Sequence, residues 1–444
     1  MRKGRELSVS RQPVSFIEKI AEWLFALFLF AGYYKADRRV AFIQNHIDIT
    51  ILFLILSFCV LFYRMLKTKF ALRTPIGFNK VAVLFILLIL SLVGSLLYTD
   101  SRQYGYDKVF RFIFITGWAF FGAGLLITDF HSLKRFSWAT VVISTLMAID
   151  ALANYQAIGR VGFITALGSN YIALARACGL GFLVTVAFIL PIKKSPLMNP
   201  ILWIMAVLQL WAALIAGARG PVLALILSLA LFLILSVNGR PFIRIDRYAI
   251  RLGVVILCAL IILGVGGEEL FPTLMFRTQV LLTEVGSSAL TRISFNREAL
   301  ELWARSPIWG HGVGQFSVAV AGLDIREYPH NIILELGAET GLIGTLIFLA
   351  MILTAFAIPI ITRGKQKGLA KVVTRYLLVA GFFAFVNSMV SGDINDNRML
   401  FTWIALIATV HMFQRGKTES SSNSFDIGTS KSKELLGEIQ EEER

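Results

Sequence analysis

Cysteine is nearly missing from this chain. Only three occur among 444 residues, and Cys59, Cys178 and Cys258 all lie within apolar stretches, so no disulfide framework staples an external domain. Charge is sparse too: Asp, Glu, Lys and Arg make up 16% of the chain against 56% hydrophobic residues, and mean hydropathy is +0.71. That balance excludes the two or three soluble domains ordinarily expected at this length, because so much apolar surface must face lipid. Acidic residues are in deficit, 28 against 43 basic ones, giving a net charge of +15. The surplus is scattered through many short loops and never forms one long basic face, which argues for membrane topology and against a nucleic-acid partner. No small-residue cleavage site follows the basic start of Arg2, Lys3, Arg5 and Arg11, so the first apolar segment reads as a retained helix. No convincing internal repeat is visible.

What is present is a succession of apolar segments near the roughly twenty residues that a membrane-spanning helix needs. About twelve candidates satisfy that length with tilt and snorkelling ends. They run from Ile17 to Tyr34, Ile47 to Tyr63, Val81 to Tyr98, Val109 to Ile127, Trp138 to Ala153 and Tyr171 to Pro191. The others run from Ile201 to Ala216, Pro221 to Val237, Ala249 to Val265, Leu342 to Ile361, Tyr376 to Val390 and Met399 to Phe413. The expected fold is an all-α polytopic membrane protein with one large helical periplasmic loop between the ninth and tenth helices. Its divisions are 1–266 with the first nine helices, 267–340 as the loop, 341–414 with the last three helices, and 415–444 as a Ser- and Glu-rich disordered cytoplasmic tail.

Lys and Arg in short loops set the orientation. The segments 64–80, 193–194, 240–251 and 363–375 are basic and share one side of the count, which places both termini on the cytoplasmic side of an inner membrane. Lys35, Arg38 and Arg39 are the exception. The loop 267–340 is the sole extramembrane segment long enough to fold over the bundle. Within it, Arg297 to Trp303 has helical character and ends at Ser306-Pro307, the glycines 310, 312 and 314 form a turn, and Pro329 precedes a second helical run from Asn331 to Glu339.

Ionisable residues inside a bilayer mark functional sites by default. Arg176, Arg111 and Asp150 all fall toward the outer leaflet, where Arg160 and Arg219 also emerge. Snorkelling is the alternative for Arg111, an ion pair with Asp150 for Arg176, and a headgroup anchor for Arg219. Guanidinium groups hold phosphate oxygens bidentately, so a cationic pocket at this face suits an anionic lipid-linked substrate, with Arg292 and Arg297 closing from the loop. His330 combines the outer side with a helix start beside Asn331, Glu335 and Glu339, and a histidine can remove a proton from a sugar hydroxyl near neutral pH. His311, between Gly310 and Gly312, superficially resembles a phosphate-cradling turn, yet no strand precedes it and no Lys follows. Asp393 and Asp396 have calcium-like spacing without the bidentate acidic residue at the twelfth position, so a helix-capping turn accounts for them and no metal or other cofactor is expected.

Two motifs make the chain resemble the bacterial O-antigen ligases and the related O-antigen polymerases. One is His330-Asn331, nine residues, then Gly341-Leu342-Ile343-Gly344; the other is Arg219 with Leu223 four positions on. Arg292 ahead of the Ala299-to-Pro307 helix, and Arg160 before Asn170, agree more weakly. The resemblance spans roughly Gly159 to Thr362. It implies metal-independent, inverting glycosyl transfer from undecaprenyl pyrophosphate to a sugar hydroxyl of the lipid A-core oligosaccharide, with His330 as general base and Arg219 and Arg292 offsetting charge on the departing pyrophosphate. Arg160, Arg176, Arg297 and Asn331 are the further substrate-binding candidates. The alternatives are an O-antigen polymerase, a protein O-glycosylating oligosaccharyltransferase, and a transporter of lipid-linked sugar.

Overall fold

The computed structural model describes residues 16–69, 74–158, 162–192, 195–238, 244–245, 253, 266–283, 287–362, 364 and 366–414. All but one of the apolar segments read from the sequence coincide with helices. They are α1 (Phe16–Tyr34), α2 (Ile49–Lys67), α3 (Ile76–Ser95), α4 (Tyr104–Leu126), α5 (Phe130–Ile158), α6 (Tyr171–Ile192), α7 (Met198–Ile215) and α8 (Arg219–Ser236). After the loop helices α9 (Pro272–Thr283), α10 (Ser287–Arg305) and α11 (Gln315–Ala321) come α12 (Ile332–Thr362), α13 (Gly368–Ser388), α14 (Arg398–Ala408) and α15 (Val410–Gln414). The segment Ala249 to Val265 and the tail 415–444 lie outside the described residues.

Among the described residues nine helices are long and apolar enough to cross a membrane, where about twelve were expected. The first helix falls outside that set because Glu18, Lys19 and Glu22 interrupt it, and α14 is too short at 11 residues. Glu22 is nevertheless fully buried, and it is compensated: Arg135 reaches it at 2.9 Å and Arg64 at 3.3 Å. The fifth segment is longer than expected, running 29 residues.

Side-chain chemistry sets the helix ends. The Asp48 carboxylate accepts from the Thr50 N–H at 2.7 Å, and Asn170 Oδ1 from the Ala173 N–H at 2.8 Å, satisfying donors that the first turn leaves over. Gly217, at φ 71°, ends α7, and Pro221 sits in the first turn of α8, where a missing N–H removes nothing. The buried core runs through the bundle, with α6 at its centre, 89% buried. On α2, Ile51, Ile55, Phe58 and Phe62 stay exposed at helical spacing, as a lipid-facing stripe must. A two-residue antiparallel pairing of Val237–Asn238 with Arg244–Ile245 follows α8.

The run from Asn331 to Glu339 and the tenth apolar segment form one element, broken at Gly341 (φ 62°, ψ −155°). Backbones approach closely there. A Cβ on Gly341 would run into the Ile308 carbonyl, and one on Gly310 would lie 2.5 Å from the Glu339 carbonyl carbon. Only glycine reaches these conformations without strain. The Leu342 N–H donates to Pro307 O at 2.8 Å, so the turn after α10 clamps the break. A small cluster of Ala299, Leu302, Phe316 and Ala338 seats α10 and α11 on the first turns of α12.

Candidate active site

His330 stands two residues before α12, which begins at Ile332. Its backbone is left-handed (φ 60°), a conformation uncommon outside glycine. Asn331 closes the helix start: its Oδ1 accepts from the Ile333 and Leu334 N–H groups at 3.0 and 3.1 Å. The His330 ring meets the Tyr328 ring edge-on with centroids 4.6 Å apart, and its Nδ1 is buried without a hydrogen-bond partner among the described residues. Burial pushes the imidazole down to about 4; the guanidinium groups of Arg292 and Arg176 push the same way, and Asp393 opposes them. A neutral ring with an open lone pair can accept a proton.

Arg219 and Arg292, more than seventy residues apart in sequence, line one pocket of about 290 Å³ with Tyr171, Gly220, Pro221 and Ser391. The first turn of α8 presents Arg219 and the loop helix α10 presents Arg292. Arg176 lies beside this pocket: its Nη2 donates to the Ser391 and Asn387 carbonyls at 2.7 and 2.9 Å. It also lines a second, largely apolar cavity of about 380 Å³ with Phe30, Leu180, Phe383 and Trp403. The ion pair of Arg176 with Asp150 is not formed, because Asp150 is taken by Arg39 at 2.8 Å and by the Leu167 N–H at 2.7 Å. Arg39 also pairs with Asp37, and Lys35 with Asp48 at 2.8 Å. The basic cluster that broke the loop-charge pattern is therefore partly neutralised in place.

The first turns of α12 are tied to α4 by a buried ion cluster. Lys108 Nζ lies 2.6 Å from Glu335 Oε1 and 2.7 Å from Glu339, with all three side chains at most 1% exposed. Glu339 also accepts from the Gly314 N–H at 3.0 Å, and Glu335 from the Ile394 N–H at 3.3 Å. Next to it Asp393, 2% exposed, accepts from the Tyr104 hydroxyl at 3.2 Å and from Arg326, which pairs with Asp396 at 2.7 Å. Asp393 Oδ1 takes the Asp396 N–H at 2.7 Å, so these aspartates form the turn before α14.

The other predicted residues are placed as follows. Arg160 lies outside the described residues. Arg297 is 81% exposed, pairs with Glu301 at 3.0 Å and does not line the Arg219 pocket. Arg111 pairs with Asp107 at 2.9 Å, with both about half-exposed. His311 is structural: its Nε2 meets the Leu302 carbonyl at 2.8 Å, and its backbone N–H donates to Ala338 O. The glycine turn around it is packed, since a Cβ on Gly312 would lie 2.5 Å from that of Thr99. Sequence reasoning missed Lys108, Arg326 and Tyr328. A local signal existed for the last two, which alternate with His330 at 326, 328 and 330. For Lys108 there was only its position beside Arg111.

Residues 204–349 match the family model of the O-antigen ligases. That stretch begins in α7 and ends in the membrane part of α12; it contains Arg219, Arg292, Arg297, His330 and Asn331, while Arg176 precedes it. No curated protein matches the chain.

Proposed function

We propose that this chain, a member of the O-antigen ligase superfamily through its 204–349 segment, is the ligase itself. It would move a glycan from undecaprenyl pyrophosphate to a sugar hydroxyl of lipid A-core at the periplasmic face of the inner membrane. The carrying observation is that Arg219 and Arg292, far apart in sequence, share one pocket; the charge of Arg292 also disfavours protonation of the His330 ring. In this reading the two guanidiniums grip the pyrophosphate, and Arg176 adds positive charge at its edge. The neutral His330 imidazole takes the proton of the acceptor hydroxyl as its oxygen bonds to the anomeric carbon from the face opposite the leaving group. The electron pair of the breaking C–O bond departs with the pyrophosphate, whose charge the arginines offset in place of a metal. Outside the cytoplasm no nucleotide sugar is at hand, which is why activation would arrive on a lipid. A pocket lined both by the starts of membrane spans and by the loop helix suits a donor and an acceptor that are both lipid-anchored.

Purified protein given lipid-linked donor with and without lipid A-core tests this reading. The ligase joins glycan to core only when core is supplied, whereas lengthening of the donor glycan without core identifies a polymerase. Unconsumed donor under both conditions would end the transfer reading.

A further inference from the structure

Helix α10 has two working faces. Arg292, Phe295, Ala299 and Leu302 recur at helical spacing on one side. Arg292 lines the Arg219 pocket, and Ala299 and Leu302 pack with Phe316 and Ala338. The other side carries Leu290, Ile293, Arg297 and Leu300, again at helical spacing, and its three aliphatic residues are 54%, 58% and 51% exposed. Packing among the described residues leaves this apolar stripe uncovered, on a helix that is no span.

The stripe continues beyond the helix. Past its end at Arg305, Ile308 and Trp309 are 53% and 63% exposed. Two membrane spans fix their level: the Tyr98 hydroxyl, just past α3, donates to the Trp309 carbonyl at 2.7 Å, and Leu342 of α12 donates to Pro307. Tyr98 is itself 44% exposed. Exposed Tyr and Trp at the ends of spans are the residues that the boundary between hydrocarbon and water selects. The apolar face of α10 is therefore followed by an exposed Tyr98–Trp309 pair at the end of α3.

We propose that the outer face of α10 lies in the lipid interface, with Leu290, Ile293 and Leu300 among the upper acyl carbons and Arg297 at the headgroup phosphates. An amphipathic helix held this way by apolar burial and basic side chains is a recognised membrane-surface element. The exposed Arg297 in the stripe, whose pairing with Glu301 at 3.0 Å is open to solvent, and the exposed Tyr98 and Trp309 beyond the helix argue for lipid as its occupant. Because Arg292 projects from the reverse face, the bilayer then sets the height of Arg292 beside Arg219. The seat is independent of the transfer chemistry.

A depth measurement tests it. The three native cysteines are replaced by alanine, and the environment-sensitive fluorophore NBD is attached at Ile293→Cys or Leu300→Cys in the full chain. Each protein is placed in nanodiscs of phosphatidylethanolamine and phosphatidylglycerol, with or without lipid spin-labelled on the upper acyl chain. Both positions are expected to show blue-shifted emission and roughly two-fold quenching by the spin label, while a probe at the exposed Ala321→Cys stays water-like. Water-like, unquenched emission at both positions overturns the proposal. So does a blue shift that ignores the spin label and grows with protein concentration, which would assign the face to a second copy of the chain. Quenching that appears only once an acceptor glycolipid is added would overturn it in favour of substrate docking. Since no readout is enzymatic, failure of the transfer reading leaves the result intact. Thermal unfolding of each labelled protein against the cysteine-free parent reveals loss of fold separately.

Discussion

The Lys108 ammonium lies 2.6 Å from Glu335 Oε1, both groups out of contact with solvent, so the helix that follows His330 is tied by charge to α4. Lys108→Met strands two buried carboxylates and is expected to destabilise the fold by about 3–5 kcal/mol. Adding Glu335→Gln and Glu339→Gln should restore much of that loss, since the uncompensated charge goes with the carboxylates. Thermal unfolding in detergent or nanodiscs reads both steps, and a triple variant no more stable than Lys108→Met would argue against the electrostatic account.

The protonation of His330 predicts an unusual pH profile. With the ring pushed down to about 4, it stays neutral across pH 5–7, so the acidic limb of kcat/KM for the free enzyme should fall near 4 instead of the ordinary 6.5 or so. Arg292→Gln removes one of the cations holding it down and should move that limb upward, while also weakening donor binding. A limb unmoved by Arg292→Gln would separate the two residues. Stability carries the same sign. The unfolded ring takes up a proton near 6.5 and the folded one near 4, so stability should decline as pH falls between those values and level off below.

His330→Gly separates stability from activity. The glycine relieves a left-handed backbone strain of about 1 kcal/mol or more and removes a buried ring nitrogen without a partner. The variant is therefore expected to melt no lower than its parent while losing about two to four powers of ten in transfer rate. A large drop in melting temperature would assign His330 a structural role.

Arg219→Lys keeps the charge but loses the planar fork. Donor KM should rise, with Lys partly replacing the electrostatic contribution and Ala replacing none of it. Unchanged donor turnover in Arg219→Lys would mean that the pocket does not hold phosphate bidentately.

Gly341→Ala places a Cβ against the Ile308 carbonyl at a backbone conformation that other residues avoid. About 1–3 kcal/mol of strain follows, before any clash is counted. Because the break at Gly341 aims the start of α12, activity should fall further than the stability loss explains. Hydrogen exchange at Leu342, whose N–H donates to Pro307, reports the local loosening. Protection equal to the parent would place the clamp elsewhere.

Much of this molecule follows from local chemistry. The apolar runs placed the helices, because a bilayer accepts only segments whose backbone groups pair internally. His330 beside Asn331 announced a helix start, and Arg219 before Pro221 announced another, since caps and first-turn prolines act within a few residues. Whether Arg176 would meet Asp150 or a cavity was not legible. Both partners were reachable, and only the packing of the 387–391 turn against α6, and of Arg39 against α5, decided between them. Lys108 is the clearest case of what sequence conceals: a lysine near a helix start normally snorkels to water, and it turns inward here because folding brings Glu335 and Glu339 to within 2.7 Å of it. Periodicity and caps determine which segments are helical and where they begin. Which charges meet, and which arginines share a pocket, depends on contacts between residues far apart in the chain, and those exist only once the helices have packed.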